Sequence, residues 1–323
     1  YHGQSWLERL VDLPTLALNA RDGIYLLIGL VQCWLLLGKI RPDAILLKGG
    51  FVGVPVGLAA AARKLPFVTH DSDAIPGLAN RLVSRWARMH AVALPPAEYP
   101  YPPGSTVQVG VLVEPNFRPI NPEQQAIYKQ RLELPPLLPV LLITGSSSGA
   151  QRLNEAAVTI VDKLLTDYPD LHIVHQTGKG KLEVYGPYRH ARLQVIEFMR
   201  PMYVYTGAAD VVVARASANT AAELGIQGKA VVLVPNPQLA EGHQLKNAER
   251  LLAQNAVLCV PENAHATDAL ALDNAIRTLL NDPTQRQALA TQLQRITIAD
   301  AAYKLAYILL DIANKGAKIR TRL

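Results

Sequence analysis

The chain has 323 residues, of which 50% are hydrophobic and 6% aromatic, and it carries a formal net charge of +6. This length allows two domains with separate cores, and the composition excludes a disordered or fibrous protein. Cys33 and Cys259 stand far apart, which argues against a disulfide framework or a cysteine-based metal site. The basic charge suits anionic lipids or phosphorylated substrates; without arginine-rich tracts or interleaved aromatic residues, we expect no nucleic-acid partner.

Residues 23–38, GIYLLIGLVQCWLLLG, are the most hydrophobic run of the sequence and predict a helix that ends at the Arg41-Pro42 pair. The run is shorter than the roughly 20 residues that a membrane-spanning helix needs. We therefore expect a helix buried against a sheet. The alternative is a partly exposed apolar face that seats the protein on a membrane surface beside Lys39 and Arg41.

Apolar runs then alternate with helical segments, which is typical of a parallel sheet covered by helices. Before the proline cluster Pro135, Pro136 and Pro139, strands are predicted at 43–47, 65–70 and 107–113, and helices at 54–63 and 78–89. After it, strands are predicted at 140–143, 171–176, 193–197, 209–213 and 231–234, and helices at 151–165, 202–206, 243–254, 268–280 and 283–296. The cluster marks the domain boundary. The predicted domains are residues 1–137 and 138–298, with a C-terminal helix in 299–323 that packs back on the first domain.

Two strand ends in the second domain open into helices through small residues. The loop TGSSSGA, residues 144–150, has glycines that allow close backbone approach and serines that add hydroxyl donors, although it is not a Walker loop. The stretch RASANTAAELGIQG, residues 215–228, follows an apolar β-branched run. Free backbone N–H groups and the helix dipole favour an anion at its turn, and Glu223 is placed to accept hydrogen bonds from sugar hydroxyls.

Polar side chains also follow two other predicted strands. His70, at the start of the loop HDSDAIPGLAN, is a candidate general base or ligand, with a structural role as the alternative. Asp71 and Asp73 are either metal ligands or caps of the next helix, and two carboxylates alone make a poor metal site. Gln244 and Asn247 share one face of a later helix, where neutral amides suit the recognition of sugar hydroxyls.

Taken in order, these stretches resemble the MurG-type glycosyltransferases of peptidoglycan synthesis. The matching motifs are KGGFVGVP (48–55), HDSDAIPGLAN (70–80), TGSSSGAQRLN (144–154), VIEF (195–198), ADVVVARASANTAAELGIQG (209–228) and GHQLKNA (242–248). The resemblance implies an α/β protein of the GT-B fold, with two Rossmann-like, doubly wound domains facing a cleft. It also implies inverting transfer of N-acetylglucosamine from UDP-N-acetylglucosamine to the undecaprenyl-linked muramoyl-pentapeptide lipid, lipid I, to form lipid II.

By the same resemblance, the enzyme would be a peripheral protein at the cytoplasmic face of the bacterial plasma membrane, with the nucleotide sugar, the lipid and the membrane surface as partners. It would use neither a metal nor a cofactor, because the nucleotide sugar is a substrate. The implied catalytic residues are His70, Asp71 and Asp73. The implied acceptor-side residues are Gly49, Gly50 and Asn80. The implied donor-binding residues are Ser147, Gly149, Phe198, Met199, Arg215, Ser217, Ala218, Asn219, Thr220, Glu223, Gln244 and Asn247.

The sequence departs from the family pattern in places. Asp71, Ser72 and Asp73 replace the usual Glu-Gln-Asn, and the family's opening glycine-rich loop with its histidine has no counterpart before residue 48. We therefore expect the first domain to be N-terminally incomplete. Two other functions stay open: another GT-B enzyme of UDP-sugars, either a 2-epimerase or a transferase to a different lipid-linked sugar, and a UDP-sugar-binding protein impaired in catalysis.

Overall fold

The computed structural model describes residues 13–145, 149–238, 242–263 and 266–320, which divide between two compact units. The first unit comprises the described residues within 1–71, 76–109 and 303–323, and the second comprises those within 72–75 and 110–302. The C-terminal helix thus belongs to the first unit. Residues 110–137, which the sequence analysis assigns to the first domain, belong to the second.

The helices of the described residues are short apart from the first and the last. In chain order they are α1 (Leu13–Ile40), α2 (Gly53–Ala62), α3 (Leu78–Val83), α4 (Pro122–Arg131), α5 (Gln151–Asp167), α6 (Met202–Ala208), α7 (Ala218–Gln227), α8 (His243–Ala253), α9 (Ala269–Asn281), α10 (Pro283–Ile296) and α11 (Ala301–Arg320). The predicted helices of the second unit are confirmed to within a few residues at their ends.

The first unit contains a parallel sheet whose strands lie side by side in chain order. They are β1 (Ile45–Leu47), β2 (Phe67–Asp71), β3 (Met89–Val92) and β4 (Thr106–Gln108). The strand order does not reverse within the described residues of this unit. Its core consists of the apolar face of β2 and the alanine-rich α2, together with part of α1.

The prediction of a helix over residues 78–89 is wrong in its second half. Helix α3 ends at Val83, a short turn follows, and the backbone is already extended at Ala87. Met89 then begins β3, a strand that the sequence analysis missed, and β3 lies between β2 and β4. Pairing with two neighbouring strands decides the conformation here, so that the helical spacing of the arginines in this segment is overridden.

Helix α1 is present as predicted, but the expectation that it is buried is wrong. Large apolar side chains along it face solvent, with Leu27 63% and Leu35 64% exposed, whereas Leu37 packs into the core. The sequence is apolar on all faces of the helix, so its pattern does not show which face is covered. The alternative of an exposed apolar face describes the structure.

The second unit contains a six-stranded parallel sheet. Its strands are β5 (Val140–Thr144), β6 (His172–Gln176), β7 (Leu193–Ile196), β8 (Val211–Ala214), β9 (Ala230–Leu233) and β10 (Leu258–Cys259). They lie in the order β7-β6-β5-β8-β9-β10, so the direction of winding reverses between β5 and β8. This is the doubly wound order of nucleotide-binding folds, in which ligands bind outside the carboxyl ends of the strands at the reversal.

Side-chain contacts attach α4 to the amino-terminal ends of β5 and β8, the two central strands of this sheet. Lys129 Nζ lies 2.8 Å from Asp210 Oδ2, and the same carboxylate oxygen accepts a hydrogen bond from the Val140 amide at the start of β5. Gln125 Nε2 donates to Asp210 Oδ1 and to the carbonyls of Ala208 and Ala209. These bonds explain why residues beyond 109 belong to the second unit rather than the first.

Candidate functional site

The strand order places the loops after β5 and β8 on the two sides of the reversal. The loop after β5 leads into α5, and its Gly149 is packed against Thr177, the residue that follows β6. Gly149 has a φ of +67°, and a Cβ there would lie 2.0 Å from the Thr177 carbonyl oxygen, so only glycine fits. Ala150, the residue before α5, offers no side-chain cap, which leaves the first N–H groups of a 17-residue helix for a ligand. Ser147 lies outside the described residues.

The loop after β8 leads into α7, and its serine has a structural task. Ser217 Oγ accepts a hydrogen bond from the Thr220 amide at 3.1 Å and lies 2.9 Å from Thr220 Oγ1. Ser217 is therefore the helix cap, and Thr220 is buried beside it. Ala218 and the exposed Asn219 form the first turn, where the helix dipole favours an anion.

Glu223 lies in the second turn of α7. Burial, together with the nearby Glu114 carboxylate, raises the pKa of this carboxyl to about 7. It accepts no hydrogen bond from any residue in the described part of the chain. A half-buried carboxyl group without donors around it suits a ligand that brings its own donors, such as a pair of sugar hydroxyls.

Phe198 and Met199 follow β7 in the same unit. Met199 is buried, and the Arg200 guanidinium carbon lies 5.6 Å from the centre of the Phe198 ring. Just before them, Glu197 Oε1 accepts a hydrogen bond from the Gly180 amide at 2.6 Å, and the Glu197 carbonyl accepts another from Gln176. The turns that follow β6 and β7 are thereby tied together.

Arg215 is engaged within the protein. Its guanidinium is buried, with Nη2 2.8 Å from Glu262 Oε1 and Nη1 donating to the Val234 carbonyl. The same Glu262 oxygen accepts a hydrogen bond from Thr267. These contacts favour a structural ion pair for Arg215 over the implied contact with a donor substrate.

The two amides at the start of α8 also contact the protein. Gln244 Oε1 accepts a hydrogen bond from the Asn236 amide. Asn247 Oδ1 accepts from the Ala74 amide, and its Nδ2 donates to Asp73 Oδ1 at 2.8 Å and to the Ala216 carbonyl at 3.3 Å. Asn247 thus holds residues 73 and 74 against the turn after β8. His243 Nδ1 lies 3.9 Å from Asp73 Oδ2.

In the first unit, the implied acceptor-side residues lie together at the carboxyl ends of β1 and β2. Asn80 Nδ2 donates to the His70 carbonyl and to Asp71 Oδ1, and it lies 3.8 Å from the position of a Cβ on Gly49. Gly49 and Gly50 both have positive φ, as the turn requires. The His70 side chain is buried.

Asp71 accepts three hydrogen bonds, which favour a structural role. Oδ1 accepts from Asn80 and from the Gly77 amide, and Oδ2 accepts from the Tyr101 hydroxyl at 2.8 Å. The Tyr101 ring stacks at 3.9 Å on His90, whose Nδ1 lies 2.8 Å from Thr69 Oγ1. Sequence reasoning missed Tyr101 and His90, because nothing in a proline-rich extended segment indicates which distant carboxylate its tyrosine reaches.

The chain matches two family models of known proteins. Residues 140–305 match the glycosyltransferase family 28 C-terminal domain, and residues 18–92 match the glycosyltransferase family 28 N-terminal domain. The chain belongs to glycosyltransferase family 28. It is similar to the UDP-N-acetylglucosamine--N-acetylmuramyl-(pentapeptide) pyrophosphoryl-undecaprenol N-acetylglucosamine transferases of Salinibacter ruber and Anaeromyxobacter dehalogenans. The first is 33% identical over 292 residues, covering 89% of this chain and 76% of the relative; the second is 32% identical over 290 residues, covering 88% and 73%.

Solved structures support the GT-B fold of this family 28 glycosyltransferase. Acinetobacter baumannii MurG superposes with a TM-score of 0.70 at 24% identity, covering 90% of this chain and 79% of that protein. The UDP-GlcNAc 2-epimerase from Neisseria meningitidis, in a structure bound to UDP-GlcNAc, gives a TM-score of 0.64 at 14% identity, covering 88% and 80%. At these identities the likeness shows the fold alone.

Two further observations on the described residues concern exposed apolar side chains and possible metal ligands. The segment Arg21–Ile40 of α1 is long and apolar enough to cross a membrane by length and composition, and Leu37 is its one buried residue. Other exposed apolar side chains of the first unit include Phe51 at 86% and Leu82. Among the described residues, no group of three or more histidine, cysteine, aspartate or glutamate side chains is arranged to hold a metal ion.

Proposed function

We propose that this family 28 glycosyltransferase transfers N-acetylglucosamine from UDP-N-acetylglucosamine to the pyrophosphoryl-undecaprenol-linked N-acetylmuramoyl-pentapeptide, with inversion at the anomeric carbon. The observation that carries the proposal is the sequence similarity to transferases of that name, at 33% and 32% identity over nearly nine-tenths of the chain. Epimerases share the fold at only 14% identity, so the sequence comparison favours transfer over epimerisation.

The second unit would bind the nucleotide sugar at the reversal of its strand order. The N-terminus of α5, which has no side-chain cap, and that of α7, where the Ser217 cap binds the Thr220 amide, would present N–H groups and positive dipole ends to a diphosphate. The same groups would stabilise the negative charge that develops on the departing UDP. Glu223 would accept hydrogen bonds from the ribose hydroxyls, and the backbone at Phe198 and Met199 would bind uracil.

In the chemical step, the acceptor hydroxyl oxygen forms a bond to the anomeric carbon as the bond to the UDP oxygen breaks. The hydroxyl proton passes to a base, for which His70, Asp71 and Asp73 are the candidates. Asp73 has the most accessible side chain of the three, which is 41% exposed. Asp71 is the weakest candidate, because its oxygens already accept three hydrogen bonds.

The lipid acceptor places the reaction at a membrane surface, and the first unit carries features suited to one. Exposed apolar side chains of α1 and α3 are accompanied by exposed cations, namely Lys39 on α1, Arg81 on α3 and Arg85 in the turn that follows α3. Apolar groups inserted at the lipid boundary and cations beside anionic headgroups add to each other in peripheral binding. We infer peripheral attachment through this surface, on the cytoplasmic side where the nucleotide sugar is available.

Incubation of the full chain with labelled UDP-N-acetylglucosamine and the undecaprenyl-linked acceptor tests the reaction. We expect label in the lipid fraction only when the acceptor is present. Release of UDP or of a new sugar without the acceptor would indicate an epimerase instead. Binding of the nucleotide sugar without any turnover would indicate a binding protein. Glu223→Ala should weaken UDP binding more than acceptor binding, with the exposed Glu183→Ala as the matched control.

Sedimentation with anionic vesicles tests the membrane surface. Leu27→Glu places a charge on the exposed face of α1 and should reduce the bound fraction severalfold. Leu137→Glu is the matched control, because Leu137 is 90% exposed in the second unit and lies on none of the elements invoked. Equal binding by both variants would exclude α1 as the attachment surface.

A further inference from the structure

A chain of buried hydrogen bonds runs beneath the loop that precedes α5. The Tyr185 hydroxyl lies 2.8 Å from His175 Nδ1, and His175 Nε2 lies 3.1 Å from Asn154 Oδ1. Asn154 Nδ2 then donates to the Thr177 carbonyl at 2.9 Å. The side chains of His175 and Asn154 are fully buried, and Tyr185 is nearly so. None of these three side chains has a role in the function proposed above.

The contacts permit only one arrangement of protons. The Thr177 carbonyl can only accept, so Asn154 must direct its NH₂ group there and its oxygen toward His175. His175 must therefore donate through Nε2–H. Burial lowers the pKa of His175 to about 4, so the ring is neutral and Nδ1 has a free lone pair. Tyr185 donates to it. Every bond points the same way, from Tyr185 to the Thr177 carbonyl.

The last acceptor in this series of hydrogen bonds, the Thr177 carbonyl, contacts Gly149. A Cβ on Gly149 would lie 2.0 Å from the Thr177 oxygen, so the Gly149 backbone packs directly on that carbonyl. Asn154 also belongs to the first turn of α5, where its amide bonds to the Ala150 carbonyl. The buried Asn154 thus connects the first turn of α5 with the Thr177 carbonyl on which Gly149 packs.

We propose that Asn154, held by His175 and Tyr185, is a positioning residue for diphosphate binding. It sets the distance between the Gly149 backbone and the N–H groups at the start of α5. The inference rests on the proposed function in one respect, namely that the diphosphate of a nucleotide sugar binds at this loop. Because helix N–H groups select an anion by geometry, a displacement of the loop should affect a diphosphate ligand and spare a nucleoside that lacks it.

Affinities of the full chain for UDP and for uridine, measured side by side, test this. In Asn154→Asp an oxygen faces the Thr177 carbonyl, and repulsion between two acceptors replaces the hydrogen bond. We expect UDP binding about 10-fold weaker in this variant and about 5-fold weaker in Tyr185→Phe, which loses one buried hydrogen bond. Uridine binding should stay within about 2-fold of the wild type.

Tyr188→Phe is the matched control. The Tyr188 hydroxyl also bonds to α5, at Asp162 Oδ1 2.9 Å away, but on the exposed side and far from the first turn. Its UDP affinity should equal that of the wild type. Unchanged UDP affinity in Asn154→Asp and Tyr185→Phe, or an equal loss for UDP and uridine, would overturn the positioning role.

A second measurement does not depend on the variants folding. Nitrogen chemical shifts of His175 in the wild-type chain should show a proton on Nε2 and none on Nδ1, and this state should persist to pH 5. The opposite tautomer would break the chain of donors and overturn the inference. A wild-type chain that shows this tautomer but does not bind UDP would instead contradict the proposed function.

Discussion

Gly149 offers a direct test of how closely the loop before α5 is fitted. Replacing it by alanine adds one methyl group at a position with φ +67°, where that methyl would lie 2.0 Å from the Thr177 carbonyl oxygen. Gly180 provides a matched comparison. Its φ is +71°, and a Cβ there would meet nothing within 4 Å. The two substitutions therefore share the backbone strain, and only Gly149→Ala adds the clash.

The left-handed conformation costs alanine about 1–2 kcal/mol in each variant. The clash at residue 149 is with backbone rather than with the end of a flexible side chain, so the loop must move by about 1 Å to reach a normal contact. Overpacking of this kind costs about 1–3 kcal/mol in addition. We expect Gly180→Ala to lose about 1–2 kcal/mol of unfolding free energy, and Gly149→Ala about 2–5 kcal/mol.

Urea unfolding measures the loss of stability in both variants, and UDP titration of the folded variants measures the loss of affinity. If the loop shifts to relieve the clash, part of the stability loss is replaced by a loss of affinity for UDP, which depends on loop position. Gly149→Ala should therefore exceed Gly180→Ala in lost stability, lost affinity, or both. Equal values for the two variants in both measurements would show that the contact between Gly149 and Thr177 is looser than the structure indicates.

Three other predictions concern titratable groups. Burial lowers the pKa of His175 from its ordinary value of 6.5 to about 4, so the imidazole is protonated at a higher pH in the unfolded chain than in the folded one. As the pH drops from 6.5 to 4, this group should therefore lower the unfolding free energy by roughly 3 kcal/mol. The plot of unfolding free energy against pH should be flatter by that amount for His175→Gln, and an equal slope would contradict a neutral buried imidazole. Because Glu223 has a pKa of about 7, uridine affinity measured by calorimetry should rise between pH 6 and 8 as the carboxylate forms. Glu114→Gln removes a neighbouring negative charge and should shift the midpoint of this rise to lower pH. An affinity independent of pH would exclude Glu223 from the ribose site. Asp71→Asn should lower the unfolding free energy by about 1.5–3 kcal/mol, because a neutral amide replaces the carboxylate and its NH₂ group cannot accept the Tyr101 hydroxyl proton. Asp73→Asn should cost less than about 1 kcal/mol. Full stability of Asp71→Asn combined with lost turnover would return Asp71 to a catalytic role.

Much of the fold follows from the sequence because buried parallel strands are continuous apolar runs. Segments such as 140–143 and 209–213 contain little except apolar β-branched and aliphatic residues, and the structure has strands there. The misses have a common cause in context. The strand Met89–Val92 follows arginines at helical spacing, and β10 is two residues long, so that in both cases pairing with a neighbour decides the conformation.

The order of the strands carries more about function than the strands themselves. Sequence reasoning identified the loops after β5 and β8 separately, as two generic anion sites. The reversal of winding between those two strands places both loops at one crevice of the sheet. Nothing local in either motif predicts that adjacency, because it is set by which strand pairs with β5. The resemblance to a family supplied it before the structure did.

Arg215 and Glu223 show why residue type alone does not separate ligand contacts from scaffold. Both are charged, both lie in the stretch after β8, and the family resemblance assigns both to the donor substrate. Their environments differ because of residues distant in sequence: Glu262 pairs with Arg215 at 2.8 Å, whereas Glu223 is under the influence of the like charge of Glu114. A buried cation that is already paired gains little from a ligand. A half-buried carboxyl group that accepts no hydrogen bond within the described residues gains such bonds from a ligand, so we propose Glu223 rather than Arg215 as the contact to a hydroxyl-bearing ligand.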